Sequence, residues 1–274
     1  MKLNISILFL ILNFAHNYKI FCYFENQKLK SCNSFPLSLN YLIIHFMTNV
    51  NISPDKNLTT QQSLQLNFRR KRFSHFISLL KSISPKNGKF LNILDIGGTE
   101  NYWKMVNFKA EENVKITLLN LMEIKIENKD IFNSVAGSAL DLSQYADGEF
   151  DIVFSNSVIE HVGEYENQKQ MAKEFRRVGL NYYIQTPNYH FFFEPHFRLP
   201  FVHFLPKGIR ARIVNQFRQK TKNIEQARKR VDGITLLGAK QMKELFPEAT
   251  MYKEKFYGMT KSITMYHFPK AGKK

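Results

Sequence analysis

Beyond Cys32 the chain has no cysteine; Cys22 and Cys32 are its only two. A metal centre held by cysteines is therefore excluded from most of the protein. None of the 12 glycines precedes Gly88, so the first third of the chain lacks the residue that serves tight turns. The apolar run at residues 5–12 is short for a bilayer span, and no internal repeat is present. Acidic residues are scarce: 23 Asp and Glu face 39 Lys and Arg, giving a net charge of +16. Such a balance favours anionic partners: nucleic acid, an acidic membrane surface or a phosphorylated substrate. It does not choose among them, and a soluble basic protein with one charged face is the simpler account. What the chain has is size and apolar content, 274 residues at 44% hydrophobic, enough for one sizeable domain with a real core.

The first 46 residues differ from the rest. Lys2 precedes the apolar run, as in a secretory leader, but no small-x-small cleavage site follows. Three readings are open: a cleaved signal, a membrane anchor through residues 5–15, or translated sequence upstream of the functional start. The third is preferred, because Met47 opens a polar lead-in typical of a cytoplasmic enzyme. On this reading residues 1–46 lie outside the fold, there is no stable membrane insertion, and the protein is cytoplasmic. The Asn51-Ile-Ser and Asn57-Leu-Thr triplets match the glycosylation pattern, as an Asn-rich chain does by chance.

From Met47 the chain reads in order. Residues 47–65 are polar and expected to be flexible. Residues 67–83 have Phe68, Phe73, Phe76, Ile77, Leu79 and Leu80 at helical spacing, and Arg69-Arg-Lys-Arg72 beside them reads as a solvated face, with a phosphate-binding patch as the alternative. Leu91-Asn-Ile-Leu-Asp-Ile-Gly-Gly98 is a short buried strand running into two glycines. Adjacent glycines let a backbone turn sharply and approach a ligand with no Cβ in the way. Further strands are expected at 114–121, near 132–140, at 150–155 and at 180–186, with a helix at 168–178. Strands alternating with helices imply an α/β, Rossmann-like, doubly wound and mostly parallel sheet. Residues 187–232 are dense in aromatics, histidines and prolines and read as a helical and aromatic insertion after the fifth strand. A helix at 236–245 and an antiparallel closing pair, 250–257 and 262–267, complete the domain, which spans 91–269. Residues 47–90 supply a start and one helix, and 270–274 a basic tail.

The order of these features resembles a class I S-adenosylmethionine-dependent methyltransferase, with a domain similar to the type 11 or type 23 kind. Asp95-Ile-Gly-Gly98 stands at the family's glycine-rich first motif, and Phe150-Asp-Ile-Val-Phe-Ser-Asn-Ser-Val-Ile-Glu-His161 at its fourth-strand motif. The resemblance implies S-adenosyl-L-methionine as cofactor, with no metal, since metal ligands are not clustered in the chain. It assigns cofactor contacts to Asp95, Gly97, Gly98 and Thr99 in the first loop. Asn120 takes the position where the family has a ribose-binding carboxylate, with Glu123 as a substitute. Asp141 and Leu142 fall where a carboxylate meets the adenine amino group, and Asn156 and Ser157 near the transferred methyl. Asp151 supports the fourth strand. The family's usual third glycine is missing, with Asn101-Tyr-Trp103 in its region.

Methyl transfer from a sulfonium needs alignment, exclusion of water and often removal of a proton. Histidine is the usual base near neutral pH. His161 lies just past the fourth strand; a helix-start histidine bonded to backbone is the blander alternative. His196 and Glu194 lie in the insertion, with a lid-folding role as their alternative; His190 and His203 are weaker candidates. Phe191, Phe192 and Phe193 read as core of the insertion. The expected function is methyl transfer to a small-molecule or glycan acceptor at oxygen. Nucleic acid is the alternative partner, as for an RNA methyltransferase; a non-catalytic or membrane-associated cofactor-binding protein is the second alternative. If the functional start is Met47, a chain truncated there should stay soluble and bind S-adenosylmethionine with the affinity of the full chain, as read by calorimetry. An insoluble truncation beside a folded full chain would place residues 1–46 within the domain.

Overall fold

Strand β1 (Leu91–Ile96) buries its last four residues, and its neighbours are set by the same apolar patterning. In the computed structural model, which describes residues 60–86, 88–108, 113–218 and 223–269, β1 pairs in parallel with β2 (Val114–Asn120) on one side. On the other it pairs in parallel with β4 (Phe150–Asn156). Outward from these lie β3 (Phe132–Ala136) and β5 (Gly179–Pro187), both parallel. The hairpin of β8 (Thr250–Phe256) and β9 (Met259–His267) closes the sheet, with β9 antiparallel to both β5 and β8. The order is β3-β2-β1-β4-β5-β9-β8. This is the Rossmann-like, mostly parallel sheet with an antiparallel closing strand expected from the sequence. The sheet and its cores lie within Leu66–Lys274, one of two compact units of the chain.

Alternation along each strand feeds two cores. Ile93, Ile152, Phe154, Ile116 and Leu118 face one layer with Phe73, Phe76 and Trp103. Leu94, Val153, Leu119 and Ile184 face the other, with Met171, Phe175, Met242 and Phe246. Helix α1 (Thr60–Leu80) and the short α2 (Glu100–Met105) supply the first layer. Helix α3 (Tyr165–Val178) and α6 (Ala239–Leu245) supply the second. α1 starts at Thr60, earlier than the expected 67, since no Pro or Gly interrupts residues 60–80. α6 starts later than 236 because Leu237 is extended, bridging Asn188.

The basic cluster of α1 is not a uniformly solvated face. Phe68, Arg72 and Phe76 recur every four residues and share one stripe of the helix. Arg70 and Lys71 are exposed, but Arg72 is buried and its Nη1 donates to both oxygens of Glu254, at 2.9 and 2.8 Å. Lys261 Nζ and Ser262 Oγ also donate to Glu254, at 3.3 and 3.0 Å. The pair thus ties α1 to the closing hairpin, and burial lowers the Lys261 ammonium to about 8.

The described residues between 193 and 232 contribute a third apolar cluster. It holds the ribbon of β6 (Phe193–Glu194) with β7 (Leu199–Pro200), α4 (Lys207–Arg218) and α5 (Ile224–Asp232). Its core is Phe197, Leu199, Val202, Ala211, Val214, Ala227 and Val231. Phe191 and Phe193 are buried and Phe192 half-buried, but none belongs to this core, and Phe191 meets Phe256 of β8 edge to face. Asn223 caps α5 by accepting from the amides of Glu225 and Gln226.

Removing one partner of a buried ion pair leaves a bare charge in the interior. Arg72→Ala should therefore lower unfolding stability by roughly 3 kcal/mol, the low end of the usual range because Lys261 still faces Glu254. Urea unfolding checks it, and Arg72→Ala combined with Glu254→Gln should recover part of the loss.

Candidate active site

Gly97 and Gly98 end β1, and the reason for both is visible. Gly97 has φ +73°, in the left-handed region, and a Cβ there would meet Val158 Cγ2 at 2.5 Å. A Cβ on Gly98 would lie 1.8 Å from Asp95 Oδ2. The space that the glycines leave is thus partly taken by the protein's own Val158 and Asp95. Asp95 is buried beneath the loop, its Oδ2 accepting from Trp103 Nε1 at 2.7 Å. Burial pushes its carboxyl up to about 7, against the pull of that hydrogen bond. Asn120, at the end of β2, donates through Nδ2 to the Gly98 carbonyl at 2.9 Å and so clamps the loop from the neighbouring strand. Thr99 caps α2 by accepting from the Tyr102 amide.

A cavity of about 220 Å3 opens here, lined by Asp95, Gly97, Gly98, Thr99, Phe154 and Asn156 among others. It lies between the carboxyl ends of β1 and β4. These are the strands from which the order runs outward in opposite directions, the switch point where open parallel sheets bind ligands. Arg69 and Tyr102 also line it, and burial raises the Tyr102 hydroxyl to about 12. The sequence placed Arg69 with a solvated face, and it borders the cavity instead. The signal was there: it lies three residues from Arg72, on the face of α1 turned to the sheet. Ser157 has φ +59° and donates through Oγ to Gln185 Oε1 at 3.0 Å, fixing the turn after β4 against the end of β5.

The fold does not bring all the expected cofactor residues to the cavity. Asp141 is exposed in the loop after β3, and hydrogen bonding from the Ser143 side chain, then from the Ser143 amide, holds its carboxyl below the usual range. Leu142 is fully buried in the sheet's second core and its amide donates to Glu174 Oε2, so it serves packing there. Leu121 and Met122, just past Asn120, are exposed apolar side chains. Asp151 accepts from the amides of Lys86 and Asn92, at 2.7 and 2.8 Å, and so supports β1 and β4 as expected.

A second cluster forms four residues beyond Asn156. A 3-10 turn over Ile159–His161 carries Glu160 and His161. Glu160 is buried, its Oε2 accepting from Thr186 Oγ1 at the end of β5 at 2.9 Å. Its Oε1 has no hydrogen-bond partner and faces His196 Nε2 at 3.8 Å. His196 Nδ1 donates to Glu194 Oε1 at 2.6 Å, and Glu194 Oε2 accepts from the Phe197 amide at 2.5 Å. The His161 and His196 rings meet edge to face, 4.8 Å apart. Burial pushes Glu160 up to about 7. Burial alone would lower His196, but the Glu194 hydrogen bond and the charges of Glu194 and Glu160 outweigh it, and its pKa is raised. His161 is lowered by burial and by the neighbouring His196. The three sequence candidates, His161, Glu194 and His196, are thus side by side. Glu160 was missed, being an acidic residue inside a motif read for its strand. His203 is held by the Tyr189 carbonyl and lowered to about 4 by burial, and His190 is exposed beside Gly238.

Residues 99–180, from the glycine loop to the start of β5, match the methyltransferase domain family. Over that stretch the chain carries a methyltransferase domain. The match implies S-adenosylmethionine as the cofactor of this domain. No curated protein matches the chain. Among solved structures it resembles the CurJ carbon methyltransferase at 8% identity, over 72% of this chain and 53% of that one, with a TM-score of 0.46. It also resembles a SAM-dependent methyltransferase from Archaeoglobus fulgidus at 12% identity, over 73% and 93%, TM-score 0.41. A third is the mitomycin 7-O-methyltransferase MmcR, at 10% identity over 76% and 54%, TM-score 0.40. No helix among the described residues is long and apolar enough to cross a membrane, and the anchor considered at residues 5–15 lies outside them.

Asp95 generates a pH prediction. Its folded pKa is raised, so the folded chain holds a proton that the unfolded chain releases above 3.8. The stability this contributes is fully present below that value and is lost as pH rises through about 7. Asp95→Asn keeps an acceptor for Trp103 and does not titrate. Its melting temperature relative to the parent chain should therefore climb between pH 5 and pH 8, and a constant difference would mean that Asp95 ionises normally.

Proposed function

We propose that the chain transfers the methyl group of S-adenosylmethionine to an oxygen of a small-molecule or glycan acceptor. The supporting observation is that the chain runs from Asn156, which lines the cavity at the switch point, within four residues to the cluster of Glu160, His161, Glu194 and His196. In this reading Asp95, Gly97, Gly98 and Thr99 cradle the methionine end of the cofactor. Asn120 keeps its side-chain oxygen as an acceptor for the ribose, and Leu121 and Met122 offer an apolar face to the adenine, with Asp141 near its amino group. Asn156 and Ser157 border the methyl.

An acceptor hydroxyl must lose its proton as its oxygen attacks the methyl carbon and the carbon–sulfur pair passes to sulfur. The histidine and carboxylate cluster is the part of the chain equipped to assist. Residues 187–232 supply Glu194 and His196, so the insertion is read as the cover that selects the acceptor, over a methyltransferase domain of residues 91–269. RNA as acceptor is a second reading, favoured by the net charge of +16. It predicts transfer that weakens steeply with salt.

The test is a calorimetric titration with S-adenosylmethionine and its demethylated product, followed by a methyl-transfer screen on hydroxylated small molecules, glycans and RNA. On the acceptor so found, His196→Ala should lower kcat by roughly 10²–10⁴-fold, the worth of a positioned proton-handling group. Cofactor affinity should be unchanged, and Glu194→Gln should lower kcat by less. Unaltered turnover in both variants would remove this cluster from the reaction and leave alignment alone to drive transfer.

A further inference from the structure

The cluster beside the cavity has an unfilled place. Glu160 Oε1 is wholly buried and unpartnered, an arrangement that costs free energy unless something binds it. His196 Nε2 faces it from 3.8 Å, beyond hydrogen-bond reach. One donor atom each from Glu160, His161 and His196 lies within 4.8 Å of the other two. Two of the three side chains are held from behind: Thr186 Oγ1 donates to the other oxygen of Glu160, and Glu194 accepts from His196 Nδ1. Outer partners of this kind fix the orientation and tautomer of metal-binding imidazoles.

We propose that Glu160, His161 and His196 form a site for a divalent cation, with zinc the ion that their two-nitrogen, one-carboxylate donor set suits best. Ligands bound at about 2.0–2.1 Å to one tetrahedral ion lie about 3.3 Å apart, so the 3.8 Å pair closes by about half an ångström and the widest by more. Three protein ligands leave a position open, and His161, the exposed member, puts that position on the accessible side. The ion also joins the turn after β4 to the insertion, since His196 belongs to the latter. The expectation of a metal-free enzyme rested on the lack of clustered ligands in the sequence. Here the third ligand arrives from another segment of the chain, folded back over the end of β5. The inference deepens the proposed function only in placing this cation beside the acceptor; binding of the ion itself needs neither cofactor nor acceptor. An Nε2 that ligates a cation cannot also accept a proton, so a loaded site assists the acceptor through the ion and an empty one through the imidazole.

The test uses the full chain, stripped with a chelator and titrated with Zn2+ by calorimetry and with Co2+ by visible absorption. One ion per chain is expected, with a Co2+ spectrum of a low-symmetry, four- or five-coordinate site. Glu160→Gln and His196→Ala should each weaken binding tenfold or more, and Glu194→Gln, which only orients His196, by 10–100-fold. His190→Ala should leave it unchanged. If Glu160→Gln fails to fold, as judged by circular dichroism, the exposed His161→Ala decides in its place. No stoichiometric binding, or binding that survives these substitutions, overturns the cation site. Methyl transfer by the stripped chain in chelator is scored separately: its presence without ion binding sinks the cation site alone, and ion binding without any transfer sinks the proposed function alone.

Discussion

Everything at the active edge rests on a carboxylate lodged beneath a glycine. Asp95 occupies the volume that any side chain on Gly98 would need, and Trp103 Nε1 holds it there. The loop above it is pinned from the next strand by Asn120. Take away the close approach of Gly98 and Asp95, and the loop must rise, α2 must shift with it, and the cavity between β1 and β4 changes shape. The burial of Asp95 that makes this possible also keeps its carboxyl near neutrality, so the packing and the electrostatics of the loop have one cause.

A similar economy of charge governs the flank. Glu254 receives Arg72, Lys261 and Ser262 in a buried group, and this group is what joins α1 to the closing hairpin. The basic residues of α1 therefore divide: Arg70 and Lys71 face solvent, Arg72 holds the fold, and Arg69 borders the cavity. At the other end of the cavity the turn after β4 is fixed through Ser157 and Gln185, which brings Glu160 and His161 to the insertion.

The sheet was legible because its strands are short apolar runs with turn residues between them, and because parallel order follows from alternation with helices. Helix ends were less so. Leu236 and Leu237 fit a helical pattern as well as an extended one, and only the bridge to Asn188 decides between them. The glycine loop, Asn156 and the histidines were recognisable as residues, but their partners were not. Nothing along the chain announces that Glu160 and His196, far apart in sequence, will face each other, or that Arg72 will find Glu254. Leu142 shows the opposite difficulty: its place in the motif suggested a ligand contact, while its side chain and amide are both committed to the core.

The insertion carries its own apolar centre, from Phe197 to Val231, distinct from the two layers that sandwich the sheet. Its entry and exit segments are held to each other by the bridge between Asn188 and Leu237, and the Thr235 amide donates to the Glu160 carbonyl. A segment built this way behaves as a cassette. It can be lengthened, shortened or exchanged between those two fixed ends while the sheet keeps its packing, because few of the buried contacts that stabilise one are shared with the other. Divergence in such a protein can therefore run at two speeds, slow in the sheet and fast in the cassette.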